Sequence, residues 1–353
     1  MDGFESKTAG SKRPVYPFGE AVPEVGETME VAPGIHWVRM PLPFSLKWIN
    51  LWLIEDETGW TVVDTGMPLD ETKAAWRKIF AEKLGDKPVH RIIVTHMHPD
   101  HIGNAGWMRR KTQASFWISR LEYLMCRVLV ADTGREAPEA GLRFYREAGW
   151  SEDDIENYKS RFGGFGRGVS RLPDSYYRLE DGFEFEMARQ TWRVIMGNGH
   201  SPEHACLYCP ALNVLISGDQ LLPRISSNVS VFPTEPDGNP LDDWIKSCEK
   251  LKANVPSDVL VLPAHNEPFT GAHQRLDALI RGHEVALKRL KQRLSQEPRR
   301  VVDVFPAIFG RKIGQDVLSM ATGEALAHLN YLIHSGEAVR EIGEDGVALY
   351  KAN

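Results

Sequence analysis

The sequence predicts an α/β sandwich, in which two β-sheets pack face to face with helices outside, followed by a small C-terminal module. Three observations carry this expectation. Short alternating or apolar runs recur between turn residues, as sheet strands do. Their order is strands, helix, strand, helical insert, strands, helix, strand, which suits two packed sheets better than a doubly wound one. A dense His/Asp run leaves the end of one strand directly, which places a site at the edge of a sheet.

Taken in order, residues 1–30 are rich in Pro, Gly and Glu and read as an extended N-terminal arm. Strands follow at Ile35-His-Trp-Val-Arg, Ile49-Asn-Leu-Trp-Leu-Ile and Trp60-Thr-Val-Val-Asp. Between Asp70 and Leu84, the apolar residues Ala74, Ala75, Ile79 and Phe80 fall at helical spacing. The strand His90-Arg-Ile-Ile-Val-Thr leads into the His/Asp run. Residues from about 120 to 165 form a helical, aromatic-rich insert, closed by the Gly-rich break Phe162-Gly-Gly-Phe-Gly-Arg-Gly.

Strands resume around Tyr176, Phe183, Thr191–Met196, Ala205–Cys209, Val214–Ser217 and Val259–Leu262. A long amphipathic helix carries Leu276, Leu279, Ile280, Leu287, Leu290 and Leu294 on one stripe and stops before Pro298. The main domain therefore spans 31–296. The remainder, 297–353, contains a helical portion over Asp316–Ser335 and a hairpin turning at Glu344-Asp-Gly. Helices followed by a two-stranded wing resemble a winged-helix module. All the candidate site residues precede this segment, so it is expected to shape the substrate entrance or a homo-oligomer interface.

Composition narrows the function classes. At 353 residues, one large domain with a small appendage is expected. The 42 basic and 48 acidic residues leave a formal net charge of −6, which argues against a nucleic-acid partner. The start, Met1-Asp-Gly-Phe-Glu-Ser-Lys, has no apolar run behind a basic cluster, and no stretch is long enough to span a bilayer. Four scattered cysteines make no disulfide framework, so a reducing cytoplasm is the expected compartment. Cys206 and Cys209 sit three apart on a strand and so face opposite sides, which suits buried core thiols and not a shared metal.

The strongest chemical signal is Thr95-His-Met-His-Pro-Asp-His-Ile-Gly. His96 and His98, two apart on an extended turn, can direct their imidazoles to one side. Asp100 and His101, past Pro99, open the next helix and offer an oxygen and a nitrogen to a second position. Three imidazoles and a carboxylate in six residues suit a borderline metal ion.

This run resembles the hallmark of the metallo-β-lactamase superfamily, and four further segments match the family in order. Val63-Asp-Thr-Gly resembles its early strand-end motif, which implies that Asp64 supports the ligands from behind. Gly199-His-Ser-Pro-Glu-His, Ser217-Gly-Asp-Gln and Pro263-Ala-His-Asn-Glu resemble its later ligand motifs, which implies ligand roles for His200, Asp219 and His265. The resemblance covers roughly residues 31–270. It implies an αββα fold and two divalent ions, zinc first, with iron or manganese as alternatives. One would sit on His96, His98 and His200, the other on Asp100, His101 and His265, with Asp219 bridging. A metal-bridging hydroxide, oriented by Asp100, would be the nucleophile, since metal binding brings the pKa of water toward about 7. Glu203 departs from the Gly common in relatives and adds a charge near the site.

Of the other histidines, His204 reads as a hydrogen-bonded structural residue, and His36, His90, His273, His283, His328 and His334 have no motif context. Trp48, Phe162 and Phe165 are candidates for an acyl pocket or for packing. Arg224, shortly after Asp219, is a candidate grip for a substrate carboxylate or phosphate. The sandwich resembles the glyoxalase II-like branch, which implies hydrolysis of a small activated acyl substrate, a thioester or lactone. Two other readings stay open. One is an endoribonuclease or phosphodiesterase, for which Lys288, Arg289, Lys291, Arg293, Arg299 and Arg300 form a modest basic cluster. The other is a mononuclear-iron enzyme like the sulfur dioxygenases.

Overall fold

The computed structural model describes residues 14–310 and 312–353. The first half builds a seven-stranded sheet in sequential order from β1 (Met29–Ala32), β2 (Ile35–Pro41), β3 (Trp48–Glu55), β4 (Trp60–Val63), β5 (Val89–Ile93), β6 (Ser115–Ser119) and β7 (Tyr177–Leu179). Strands β1 to β4 are antiparallel, while β4 to β7 are parallel and need helical crossovers. These crossovers include α1 (Asp70–Glu82), α2 (Pro99–Ile102) and α3 (Ala105–Thr112), then the insert α4 (Arg120–Ala131), α5 (Glu139–Glu147) and α6 (Glu152–Arg161). A 3-10 turn, Gly164–Gly168, closes the insert at the Gly-rich break.

The second half builds a five-stranded sheet from β8 (Glu184–Met187), β9 (Gln190–Gly197), β10 (His204–Cys209), β11 (Val214–Gly218) and β12 (Leu260–Pro263), with β12 parallel to β11 across α7 (Pro240–Asn254). After it come α8 (Ala272–Leu294), α9 (Phe305–Ile308), α10 (Leu318–His334) and the hairpin β13 (Ala338–Ile342) and β14 (Ala348–Ala352). The expected hairpin at the C-terminus is present.

Burial explains the layering. Trp37, Trp52 and Val63 of the first sheet meet Trp192, Leu207 and Ile216 of the second in one apolar cluster. The outer face of the first sheet packs on α1, α3 and α4 through Trp76, Ile79, Met108 and Cys126. The outer face of the second packs on α7 and α8 through Trp244, Leu251, Leu276 and Leu290. The result is the αββα sandwich. That last core continues without a break into Leu326, Leu329 and Tyr350, so α10 and the hairpin are anchored to the second sheet. Cys206 lies in this outer core and Cys209 between the sheets, on opposite faces of β10 as the strand period requires. All four cysteines are free and buried.

Two strands lie outside the expected pattern. Strand β1 falls at the end of the expected arm, where four residues between turns give no alternation to read. Strand β6 sits between two helices with no Gly or Pro to set it off. Val15 bridges to Thr270, and the first 13 residues of the expected arm lie outside the described residues. No helix among the described residues is long and apolar enough to cross a membrane.

Candidate metal centre

The site forms where strand ends of both sheets meet. Past β5, the chain bends through Thr95–His98, with His98 itself extended, and turns into α2 at Pro99, so one short segment presents His96, His98, Asp100 and His101. His200 lies between β9 and β10, Asp219 directly after β11, and His265 just past β12. Two groups of side chains could each hold a metal ion. The ligand atoms of His96, His98, His200 and Asp219 all lie within 4.8 Å of one another, as do those of Asp100, His101 and His265. Asp219 faces both groups. Its Oδ2 is 3.4 Å from His200 Nε2 and 4.0 Å from His96 Nε2, while its Oδ1 is 3.5 Å from His265 Nε2 and 3.6 Å from His101 Nε2.

The donor atoms fit a cation. His101 Nε2, His200 Nε2 and Asp219 Oδ1 are buried and have no hydrogen-bond partner. Leaving such atoms unpaired costs about 1–3 kcal/mol each, and a metal in each ligand group would satisfy them, His200 in the first and His101 in the second, with Asp219 Oδ1 on the side of His101. Protonation is split within the site. Burial, with His101 and His98 beside it, holds the His96 imidazole well below its usual range, and burial with His200 brings His98 down to about 3. Burial also disfavours charge on His101, but the carboxylates of Asp64, Asp100 and Asp219 outweigh it and hold that imidazole well above its ordinary value. Burial works against an ionised Asp219, yet His265 and His101 keep its carboxyl well below the usual range. Metal binds neutral imidazoles and ionised carboxylates, so His96, His98 and Asp219 are already in the binding form, and His101 would release a proton to a metal.

Partners behind the site orient each donor. Asp64 accepts from Thr95 N and Thr95 Oγ1, both at 2.8 Å, and pairs with His101 Nδ1 at 2.7 Å. It does so from a left-handed backbone, φ +61°, at the end of β4. His265 Nδ1 donates to Trp48 O at 3.1 Å, and His200 Nδ1 to Asn228 O at 2.7 Å. His204 Nε2 accepts the Asp219 backbone N–H at 3.0 Å, so it fixes the carboxylate from behind, as a structural residue should.

Sequence reasoning missed Glu122. Buried on α4, it accepts from Met97 N and Glu203 N, each at 2.8 Å, and so ties the His96–His98 turn to the loop after His200. Nothing in its local sequence marks it. Glu203, the departure from the family pattern, accepts from Leu121 N at 2.8 Å, so its charge meets the start of α4. Arg224 pairs with Glu267 at 2.9 Å and lies over the Tyr16 ring, 4.3 Å from its centroid. Trp48 is partly exposed, with Arg39 4.8 Å from its ring centroid. Phe162 packs on Tyr158, and Phe165 lines a cavity beside Asp100.

The loop before His200 depends on Gly199. Its φ is +100°, and a Cβ there would lie 2.6 Å from Pro240 O and 2.7 Å from Trp244 N. Gly199→Ala should therefore destabilise the fold by about 2–4 kcal/mol, combining backbone strain with overpacking. Gly182→Ala, at φ +74° with nothing within 4 Å of the added Cβ, should cost only about 1 kcal/mol. Urea unfolding of both variants checks this, and equal losses would refute the steric argument.

A two-sheet sandwich with a His/Asp centre at its strand ends defines a class of hydrolases, and comparison with known proteins narrows it. Residues 49–265 match the model of the metallo-beta-lactamase superfamily, and residues 287–353 that of the metallo-beta-lactamase-like C-terminal domain. A beta-lactamase domain protein from Burkholderia ambifaria is 38% identical with a TM-score of 0.88, over 96% of this chain and 98% of that one. A linear primary-alkylsulfatase from a Pseudomonas species is 27% identical over 65% of this chain, which spans only 43% of that protein. An atrochrysone carboxyl ACP thioesterase from Emericella nidulans is 21% identical over 94% of this chain and 85% of its own length. The chain belongs to the metallo-β-lactamase superfamily, a hydrolase family that binds divalent metal.

Proposed function

We propose that this protein hydrolyses an activated acyl bond, a thioester or lactone, in a small substrate that also carries an acid. The observation that carries this reading is a cavity of ≈ 350 Å³ opening on Asp100, lined by Phe44, Met67, Pro99, Phe165 and Arg167. Apolar walls suit an acyl group, and one guanidinium suits a carboxylate. Arg167 takes the role expected of Arg224. Arg224 is already engaged by Glu267, whereas Arg167 has no ion-pair partner among the described residues. Likeness to an acyl carrier protein thioesterase supports the acyl reading.

His96, His98 and His200 would hold one divalent ion and Asp100, His101 and His265 a second, with Asp219 between them, zinc being the first candidate and iron or manganese the alternatives. Bound there, the metals would activate water at neutral pH and polarise the attacked carbonyl. Asp100 lies between His265 Nε2, 3.4 Å away, and the cavity. Despite its burial, His101 and His265 hold its carboxyl below the usual value, so it can accept a hydrogen bond from the attacking water and aim it. The Phe44 and Phe165 walls keep the acyl group in place, and Arg167 fixes its far end.

A sulfate ester is the second reading, favoured by likeness to the alkylsulfatase. RNA suits the surface less well. Within the basic cluster, Lys291 pairs with Glu337, Arg299 with Glu297 and Arg300 with Asp303, which leaves few charges for phosphates. The test compares kcat/KM for acyl thioesters with and without a terminal carboxylate, an alkyl sulfate and single-stranded RNA. Arg167→Met should lower turnover of the carboxylate-bearing thioester by about 10–100-fold, the worth of a charge-assisted hydrogen bond, and spare the neutral one. Faster cleavage of sulfate ester or RNA than of any thioester would overturn the reading.

A further inference from the structure

We infer that Glu324, on α10 of the C-terminal unit, is a positioning residue for His200, acting through Asn228. The inference rests on the reading of His200 as a metal ligand. Two hydrogen bonds in series make the connection. Asn228 Nδ2 donates to Glu324 Oε2 at 2.8 Å, and the backbone carbonyl of the same Asn228 takes the His200 Nδ1–H at 2.7 Å. With Nδ1 protonated and held, the His200 lone pair sits on Nε2, the buried atom without a partner that faces Asp219.

Arg275 on α8 holds the first part of the loop that carries Asn228, through Leu222 O at 2.6 Å and Ile225 O at 2.7 Å, and α10 holds the part around Asn228. Ser230 Oγ donates to Asn228 Oδ1 at 2.5 Å, and Val231 N donates to Gly323 O at 3.0 Å. The helix can come this close because position 323 is glycine. A Cβ there would lie 2.7 Å from Ser230 Oγ and 2.8 Å from Val231 O. The start of the same loop touches the centre again, where Ser227 Oγ donates to the Asp219 carbonyl. Helix α10 thus fixes the Asn228 part of the loop behind His200 and Asp219. The C-terminal unit contributes no donor atom to either ligand group, but it sets the orientation of one that belongs to the main domain.

Burial pushes the Glu324 carboxyl up to about 7, against the lowering effect of Asn228. Its protonated form keeps a carbonyl oxygen that can accept from Asn228, so the position needs an acceptor and not a charge. Glutamine supplies that acceptor and leucine does not.

The experiment measures zinc affinity by competition with a chromophoric chelator, on the full chain. Variants are Glu324→Gln, Glu324→Leu, Asn228→Ala and the Asn228→Ala/Glu324→Leu pair. Glu324→Leu and Asn228→Ala should each weaken zinc binding by about 10–100-fold, as loss of an outer partner does. Glu324→Gln should bind as wild type does. The double variant should lose no more than either single one, because both break the same connection. Asn228→Ala carries the test alone if Glu324→Leu does not fold. Wild-type affinity in Asn228→Ala, or loss in Glu324→Gln equal to that in Glu324→Leu, would overturn the inference. A wild-type protein whose zinc content is unchanged by His200→Ala would overturn the ligand reading instead.

Discussion

Asp219→Ala should remove the stability that the protein gains from added zinc, and with it at least 99% of its hydrolytic activity, a loss of about 100-fold or more. The reason lies in the position of one carboxylate. Oδ2 faces His200 and His96, and Oδ1 faces His265 and His101, so a single side chain serves both ligand groups. On the two-metal reading it is also the negative charge that offsets repulsion between neighbouring dications. A ligand that binds only the folded state stabilises it by about 2.7 kcal/mol at a hundred times its Kd. The wild type should show a gain of that order on going from chelator to zinc, and the variant should show almost none. In chelator the two proteins should melt closer together, because His265 can shed its proton when Asp219 is gone. Elemental analysis supplies the second readout. Two zinc ions per chain retained in the variant would refute the bridging role, and one at most in saturated wild type would favour the mononuclear reading.

How far the sequence could be read follows from the distance between interacting residues. Four of the seven candidate ligands fall within six residues at the end of β5, and the other three each follow a strand in a short motif of their own. A spacing rule can find such patterns because the backbone alone brings the residues together. The supporting residues have no such mark. Glu122 reaches 25 residues back to Met97 and 81 forward to Glu203, and Asn228 meets Glu324 across 96 residues. Only the packed sandwich creates those contacts. Arg224 illustrates how a partner distant in sequence bears on such a reading. It is five residues from Asp219, and nearness along the chain suggests a role in the cleft. The chain turns after Leu221 and Leu222 bury themselves, and the guanidinium meets Glu267. Arg167 shows no motif at all, and it faces the cavity because the Gly-rich break folds into a 3-10 turn beside Pro99.

The outer core should make the fold sensitive to acid through two histidines that have no motif context. His283 on α8 and His328 on α10 are buried side by side, with Nδ1 of the first 3.2 Å from Nε2 of the second. His328 Nδ1 donates to Glu324 O at 2.8 Å, so its Nε2 is free to accept from His283, and the arrangement needs both rings neutral. Burial, and for His283 its neighbour His328, brings the pair down to about 3 and about 4 from an ordinary value of 6.5. The unfolded chain therefore binds more protons than the folded one between about pH 6.5 and pH 4. Stability from the pair is complete above 6.5 and is lost as pH falls toward the folded values. Between pH 7 and pH 5 the loss should be roughly 3–4 kcal/mol for the two rings together. His283→Leu/His328→Leu replaces both partners, leaves neither unpaired, and should cancel that part of the slope. Urea unfolding at pH 7 and pH 5, in chelator, compares the variant with the wild type. The remaining titrating groups are common to both proteins and subtract out. An equal loss of stability in both would show that the pair does not hold its neutral form in the fold.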